Sequence, residues 1–77
     1  MYGAEWCGDC RRARRLLEDR RVAYEWIDLE ARPEETPKAR QAAGGRRNIP
    51  VIVFPDGSVL VEPTDQELEQ ALLRQPV

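Results

Sequence analysis

The sequence predicts an α/β fold in which three helices flank a four-stranded mixed sheet, in the order βαβαββα. Three observations lead to this prediction. Segments with the 3.6-residue period of amphipathic helices alternate with short runs of β-branched and aromatic residues. A strand, a helix and a second strand come first, which is the order of a parallel βαβ unit with a right-handed crossover. Two apolar runs around a Pro-Asp-Gly-Ser turn follow, and they predict an antiparallel hairpin.

The first half of the chain predicts a strand, a helix and a strand. Residues 1–3 are the first strand, which is shorter than the usual length of about five or six residues. The helix that follows has a core-facing stripe of four residues, Cys10, Ala13, Leu16 and Leu17. Residues 22–29 are rich in β-branched and aromatic side chains and predict the second strand.

A second helix is predicted over residues 33–43. Thr36 is expected to be its N-cap, with Pro37 at its first helical position, where a missing N–H group does no harm. The pair Gly44-Gly45 is expected to end the helix, because glycine readily adopts the left-handed conformation of a C-cap.

The hairpin and a third helix complete the predicted fold. Residues 51–54 and 59–61 are the two strands of the hairpin. The last helix starts at the N-cap Thr64, and Glu67 three residues later completes a capping box. Its buried stripe consists of Leu68, Ala71 and Leu72. Because no linker or repeat interrupts this order, we expect residues 1–77 to form a single domain.

Composition and charge exclude several classes of protein. The 77 residues include 12 Lys plus Arg and 14 Asp plus Glu, so the net charge of -2 argues against a nucleic-acid partner. No apolar run approaches the roughly 20 residues that span a bilayer, and the N-terminus lacks the features of a signal peptide. We therefore expect a cytoplasmic protein with no membrane partner, and we expect a monomer. The chain has no His, which excludes Cys–His pairs and imidazole metal ligands.

The only two cysteines, Cys7 and Cys10, are separated by two residues. A disulfide between them would close a very short loop and contribute only about 2 kcal/mol through chain entropy, so it suits a reversible switch better than a structural crosslink. Three interpretations are open. The two thiols could be structural residues that only pack at the start of the helix. They could bind zinc or an iron–sulfur cluster, with the missing ligands supplied by a second subunit or an external thiol. They could also be a redox dithiol. Their place between a strand and a helix favours the redox dithiol.

The predicted helix gives the two thiols different roles. Cys7 lies at the N-terminal end of the helix, where free N–H groups and the helix dipole favour a thiolate. Cys10 lies one turn further, on the core-facing stripe. We therefore expect Cys7 to be an exposed nucleophile and Cys10 to be a buried resolving thiol. Neighbouring arginines favour the thiolate and neighbouring acids disfavour it, and the sequence leaves this balance open.

The other notable residues near the motif have structural interpretations too. Four arginines of the first helix, Arg11, Arg12, Arg14 and Arg15, are expected to be a solvated face, with steering of an acidic protein substrate as the functional alternative. Trp6 is expected to shield the site while leaving an edge open for substrate, whereas Trp26 is expected to pack within the second strand.

Three stretches of the chain carry a resemblance to a known family. They are Tyr2-Gly3-Ala4-Glu5-Trp6-Cys7-Gly8-Asp9-Cys10, Gly44-Gly45-Arg46-Arg47-Asn48-Ile49-Pro50 and Phe54-Pro55-Asp56-Gly57-Ser58. With them, the chain resembles the glutaredoxin branch of the thioredoxin superfamily and, within it, the mycoredoxins, actinobacterial proteins that work with mycothiol. The resemblance implies a thioredoxin-like fold and a thiol-disulfide oxidoreductase that reduces oxidised protein clients. It also implies mycothiol or glutathione as co-substrate, no tightly bound cofactor and no metal.

The resemblance further implies a site. Cys7 and Cys10 would be catalytic, and the substrate-binding residues would be Trp6, Gly8, Asp9, Ile49, Pro50, Thr64 and Asp65. Pro50 would be cis and lie beside the reactive cysteine, and the backbone of Ile49 would pair with an extended substrate segment. The helix start at Thr64-Asp65 would hold a carboxylate of the small thiol, although capping alone also explains Thr64.

The chain departs from the glutaredoxin pattern at three places. Ala4 replaces a Lys that contacts the glutathione carboxylate, Asp9 replaces an aromatic residue, and Glu62-Pro63 replaces a Gly-Gly pair. These departures favour mycothiol, which lacks the γ-glutamyl group of glutathione. Two alternative functions stay open. One is a dithiol electron donor reduced by a flavin reductase, and the other is an iron–sulfur carrier with a cluster shared between two subunits.

Overall fold

The computed structural model describes residues 1–75 and contains four strands and three α-helices in the predicted order. The strands are β1 (Tyr2–Gly3), β2 (Ile27–Asp28), β3 (Val51–Val53) and β4 (Val59–Val61). The helices are α1 (Gly8–Asp19), α2 (Thr36–Ala42) and α3 (Asp65–Arg74), with a short 3-10 helix (Pro33–Glu35) directly before α2. Within the described residues, no helix is long and apolar enough to cross a bilayer.

The four strands form one sheet in the order β2-β1-β3-β4. β1 is parallel to β2 and antiparallel to β3, and β3 and β4 form the antiparallel hairpin. The predicted four-stranded mixed sheet and the βαβαββα order are therefore confirmed. Because β1 is a central strand, the loop that follows it lies at one end of the sheet, between the ends of β2 and β3.

The hydrophobic core joins α1 and α3 to the sheet. The buried residues on α1 are Cys10, Ala13 and Leu17, and Leu68 is the buried residue on α3. Leu16, Ala71 and Leu72 are partly buried and pack against the same cluster. The periodic stripes predicted for the two helices are thus confirmed, and α2 packs separately, against β3.

The second strand is much shorter than predicted, with two paired residues instead of residues 22–29. The physical reason lies in its neighbour. β1 has only two residues in the sheet, so residues 22–26 have no central strand beside them with which to pair.

The predicted cap of α2 is also wrong. Thr36 is already the first helical residue and Pro37 the second, while Glu35 occupies the N-cap position without a side-chain cap bond. Helical backbone begins earlier because Pro33, with its fixed φ, starts the 3-10 turn. The C-terminal prediction is confirmed, since Gly44 and Gly45 have φ values of +67 and +91 degrees directly after the helix.

Candidate active site

The reactive end of the molecule is built by the loop between β1 and α1. The Cys7 amide donates to the Ala4 carbonyl at 3.2 Å, which turns the chain from the strand into the helix. Cys7 is the N-cap of α1, and its Sγ accepts a hydrogen bond from the Cys10 amide at 3.2 Å. A cysteine therefore occupies a capping position that Ser, Thr or Asp usually fills. Both thiols are free.

Both cysteines are buried, which corrects the prediction that Cys7 is exposed. Cys7 keeps 8% of its surface accessible and Cys10 keeps none. The capping bond explains the difference from the prediction, because it turns the Cys7 side chain back over the first turn of α1. Cys7 is still the more accessible of the two thiols.

Burial controls the chemistry of the Cys10 thiol. It raises the pKa of Cys10 from its usual 9.0 to about 12, and a hydrogen bond from this thiol to the Cys7 sulfur acts in the same direction. Cys10 is therefore protonated at neutral pH. The Cys10 amide donates to Cys7 Sγ at 3.2 Å.

Gly3 leaves the space that the Cys10 sulfur occupies. A Cβ atom added at Gly3 would lie 2.6 Å from Cys10 Sγ and 2.8 Å from Cη2 of Trp26. Sequence reasoning placed Gly3 only as a strand residue and missed this contact. The available signal was a glycine inside a strand, which often marks the close approach of another group.

The Ile49–Pro50 peptide bond is cis, as the resemblance implied, and Pro50 is fully buried. The pairing of Tyr2 with Val51 puts Pro50 next to Gly3 in the sheet, on the side where Cys10 packs. Ile49 is half-buried at the same edge. The structure therefore brings Ile49 and Pro50 together with the cysteine loop.

The start of α3 is the third part of the site. Thr64 Oγ1 accepts from the Glu67 amide at 3.1 Å, and Glu67 Oε1 accepts from the Thr64 amide at 2.8 Å, so the predicted capping box is confirmed. Asp65 follows as the first helical residue, with its carboxylate 2.9 Å from Nε of Arg12.

Arg12 connects α1 to this helix start. Besides Asp65, its guanidinium contacts Asp9 Oδ1 at 3.1 Å and donates to the Pro63 carbonyl at 2.9 Å. Two acids near the cysteines are thus paired with one arginine. Arg12 lies on the exposed face that was predicted, and the sequence analysis missed its ion pairs; the signal for the pair with Asp9 was their i, i+3 spacing.

Arg14 is the centre of a second network of polar contacts, which joins α1 to Glu5 and Trp26. Its guanidinium lies 4.2 Å from the ring centroid of Trp26, within cation–π range, and contacts a carboxylate oxygen of Glu5 at 3.3 Å. Trp26 Nε1 donates to that same oxygen at 3.0 Å, and Arg11 donates to the Glu5 backbone carbonyl. Trp26 therefore packs as predicted, but it lies directly before β2 and not within that strand.

The remaining candidate residues line the open side of the cysteine loop. Trp6 is 66% exposed, directly before the buried Cys7, and its predicted role of shielding the site stays a prediction. Gly8 is exposed, and a Cβ there would meet nothing within 4 Å. The Asp9 carboxylate is held by Arg12 but stays half-exposed. Within the described part of the chain, no cluster of three or more Cys, Asp or Glu side chains could hold a metal ion.

Comparison with known proteins agrees with this geometry. The Glutaredoxin family model matches residues 1–60, which include both cysteines and Pro50. Two candidate glutaredoxins of Mycobacterium tuberculosis, from strains CDC 1551 and H37Rv, are each 32% identical to this chain over 74 residues. The matched region is 96% of this chain and 88% of each relative.

Proposed function

The chain belongs to the glutaredoxin family of thiol-disulfide oxidoreductases, and on this basis we propose that it reduces mixed disulfides between proteins and a small thiol through Cys7. One observation carries the proposal: Cys7 is the N-cap of α1, and its Sγ accepts a hydrogen bond from the Cys10 amide. A sulfur at a helix N-terminus, beside the free N–H groups and the positive end of the helix dipole, is suited to act as a thiolate nucleophile.

The first step is an exchange at Cys7. The Cys7 thiolate attacks the sulfur of the small thiol in the mixed disulfide, and the bond between that sulfur and the protein sulfur breaks. The protein leaves as a thiolate and takes up a proton, while Cys7 holds the small thiol as a new mixed disulfide. No general base is needed when Cys7 is already ionised, which agrees with a chain that has no His.

The second step frees Cys7. A second small thiol, as its thiolate, attacks the sulfur bound to Cys7, so the small-thiol disulfide leaves and the Cys7 thiolate returns. Attack by Cys10 would instead release the small thiol and form a Cys7–Cys10 disulfide. The high pKa of Cys10 disfavours this second route, because the Cys10 sulfur must first lose its proton in a buried position.

We propose mycothiol as the preferred small thiol. Glutathione carries two carboxylates and a net negative charge, whereas mycothiol is an uncharged cysteine derivative linked to sugars. Asp9 and Asp65 both lie beside the cysteine loop, and Arg12, which could have paired with a substrate carboxylate, is already bound to both. Ala4, buried at the position of the family's Lys, offers no cation either.

The start of α3 would still contribute hydrogen bonds to the small thiol. The capping box occupies the amides of Thr64 and Glu67, so the amides of Asp65 and Gln66 are the donors that remain in the first turn. These two N–H groups are suited to oxygen atoms of the bound thiol. Asp65 would thus act mainly through its backbone amide, and Thr64 would act as the cap that orders this turn.

The protein client would lie across the open side of the loop. The exposed indole of Trp6 offers an apolar surface, and the free space at Gly8 lets a substrate chain approach Cys7 closely. The backbone of Ile49, directly before the buried Pro50, would pair with an extended segment of the client. One copy of the chain holds all of these groups, so we expect a monomer of one domain to be the active species.

The test is a turnover assay with one peptide joined by a disulfide to mycothiol or, in parallel, to glutathione. We expect the Cys10→Ser protein to release the peptide thiol from the mycothiol conjugate at a rate similar to the unsubstituted protein, and Cys7→Ser to release none. Release by Cys7→Ser would overturn the assignment. Loss of activity in Cys10→Ser would instead support a dithiol donor coupled to a flavin reductase. Equal rates for the two conjugates would contradict the preference for mycothiol.

A further inference from the structure

Glu62 has a backbone conformation that glutamate rarely adopts. Its φ is +50 degrees, in the left-handed region that favours glycine. Pro63 follows it, and a residue before proline normally has an extended conformation. Within residues 1–75, Arg21 is the one other non-glycine residue with a positive φ, and its place directly after the C-cap of α1 accounts for that conformation. Glu62 follows a strand, so a helix cap does not account for it.

Glu62 lies between two parts of the candidate active site. Its backbone amide donates to the Pro50 carbonyl at 2.8 Å, and its Oε2 accepts from the side-chain amide of Asn48 at 3.1 Å. On its other side, the carbonyl of Pro63 accepts from Arg12 of α1. Glu62 is therefore fixed to the segment before β3, while the residue after it is fixed to the helix that carries the cysteines.

The charge of Glu62 differs from the charges of the other two acids at the site. The carboxylates of Asp9 and Asp65 share the guanidinium of Arg12. Glu62 is exposed, and within the part of the chain that the structure describes its carboxylate is in no ion pair. The hydrogen bond from Asn48 uses one carboxylate oxygen, which leaves Oε1 as an acceptor for a ligand.

We propose that Glu62 is a specificity-determining residue of the Cys7 site, an inference that rests on the function proposed above. A small thiol that is joined to Cys7 and bonded to the Asp65 amide lies along residues 62–65, within reach of the Glu62 carboxylate. The unpaired charge repels a thiol whose own carboxylate is free. Oε1 accepts a hydrogen bond from an N–H or hydroxyl group of an uncharged thiol. The substrate class is therefore a cysteine derivative whose carboxyl group is blocked as an amide.

The strained backbone separates this role from a purely structural one. Strain of this kind persists only where surrounding contacts hold it, and it is concentrated at functional sites. Glycine at position 62 would adopt the same φ without strain, but it would carry no carboxylate. Glu62→Gly should therefore lose selectivity between small thiols without losing stability. A glutamate that served only the fold would give the opposite result.

Two matched small thiols test the proposal. N-acetylcysteine carries a free carboxylate, and N-acetylcysteine amide has the same skeleton with an uncharged amide in its place. One test peptide is joined by a disulfide to each of them, and release of the peptide thiol gives kcat/KM for both conjugates. The selectivity is the kcat/KM of the amide conjugate divided by that of the acid conjugate.

Selectivity and melting temperature are measured for the unsubstituted protein and for three variants. Glu62→Gln removes the charge but keeps the side-chain length and an oxygen that can accept from Asn48. Glu62→Gly removes the whole side chain and the strain. Glu25→Gln is the control, because it removes the same charge from an exposed glutamate beside Met1, at the end of the sheet remote from Cys7.

We expect the selectivity to fall about three- to tenfold in Glu62→Gln and in Glu62→Gly, and to stay within about twofold in Glu25→Gln, because only a nearby charge acts strongly through water. Added salt should lower the selectivity of the unsubstituted protein toward that of Glu62→Gln. The melting temperature of Glu62→Gly should equal or exceed that of the unsubstituted protein.

An unchanged selectivity in Glu62→Gln would overturn the assignment of Glu62 and leave the proposed function intact, because both conjugates would still be turned over. A Glu62→Gly protein that melts several degrees lower and keeps its selectivity would also overturn it, since Glu62 would then serve the fold alone. If Cys7 releases the peptide from neither conjugate, nor from its mycothiol conjugate, the proposed function fails and this inference fails with it.

Discussion

The sharpest structural prediction concerns Gly3. In the Gly3→Ala protein, the new methyl group would lie 2.6 Å from Cys10 Sγ and 2.8 Å from the Trp26 ring, both well inside van der Waals contact. Cys10 is fully buried on α1, so relief of the contact needs a different side-chain rotamer within the packed core or a shift of the helix. Overpacking of this kind costs about 1–3 kcal/mol, and two simultaneous clashes put the expected loss of unfolding free energy near the upper limit.

Thermal denaturation measures this loss directly. For a chain of this size, about 4–8 °C correspond to each kcal/mol, so Gly3→Ala should lower the melting temperature by roughly 10 °C or more. Gly8→Ala is the matched control, because a Cβ there meets nothing within 4 Å. Its melting temperature should equal or slightly exceed that of the unsubstituted protein.

The double variant Gly3→Ala with Cys10→Ala separates the two clashes. Removing the sulfur should recover part of the lost stability, and the interaction energy between the two substitutions should be about 1 kcal/mol or more. A Gly3→Ala protein that melts within 2 °C of the unsubstituted chain would refute the close packing of Cys10 against β1. Full additivity of the two substitutions would show that the loss does not arise at the sulfur.

Three further predictions concern the helix start, the arginine bridge and the buried thiol. Thr64→Ala should lower the free energy of unfolding by about 1 kcal/mol, measured by urea denaturation, because it removes the hydroxyl that accepts from the Glu67 amide. Thr64→Ser keeps a hydroxyl at this position and should retain most of that free energy. Arg12→Ala should raise the KM for the small thiol about 3–10-fold, because it leaves the Asp65 carboxylate unpaired at the binding site. The melting temperature should fall by no more than a few degrees, because the ion pair between Arg12 and Asp65 is half-exposed. An unchanged KM would contradict a role for the bridge in binding. The pKa of Cys10 is raised from 9.0 to about 12, so the unfolded chain loses this proton first, and the stability present below pH 9 should decline as the pH rises from 9 toward 12. Urea midpoints at pH 8 and pH 10.5 should therefore differ more for the unsubstituted protein than for Cys10→Ala, and equal differences would contradict the burial of the thiol.

The fold was largely predictable because local signals determine most of it. The stripe of α1, the Pro-Asp-Gly-Ser turn and the capping box at Thr64 each depend on a few neighbouring residues, and all three are present. The extent of β2 was not predictable in this way. Its residues have the composition of a strand, but pairing depends on how far the neighbouring strand β1 extends.

In the candidate site, too, local sequence predicted some features, whereas others depend on packing between distant parts of the chain. The spacing of Cys7 and Cys10 and the helix that follows them indicated a redox dithiol from local sequence alone. The burial of Cys7, the exposure of Trp6 and the contact at Gly3 result from how the loop packs on the sheet, which no local pattern specifies. The contacts of Arg12 with Pro63 and Asp65 depend on α1 and α3 lying side by side, which no local pattern specifies.

The central claim is that Cys7 takes the small thiol from a protein mixed disulfide. Its most direct test is intact-mass analysis of the Cys10→Ser protein after a single turnover with the mycothiol-linked peptide, quenched with acid. We predict one added mycothiol per chain, located on Cys7 by peptide mapping, and stoichiometric release of the peptide thiol. Peptide instead of mycothiol on Cys7, or no adduct while the peptide is released, would contradict the account.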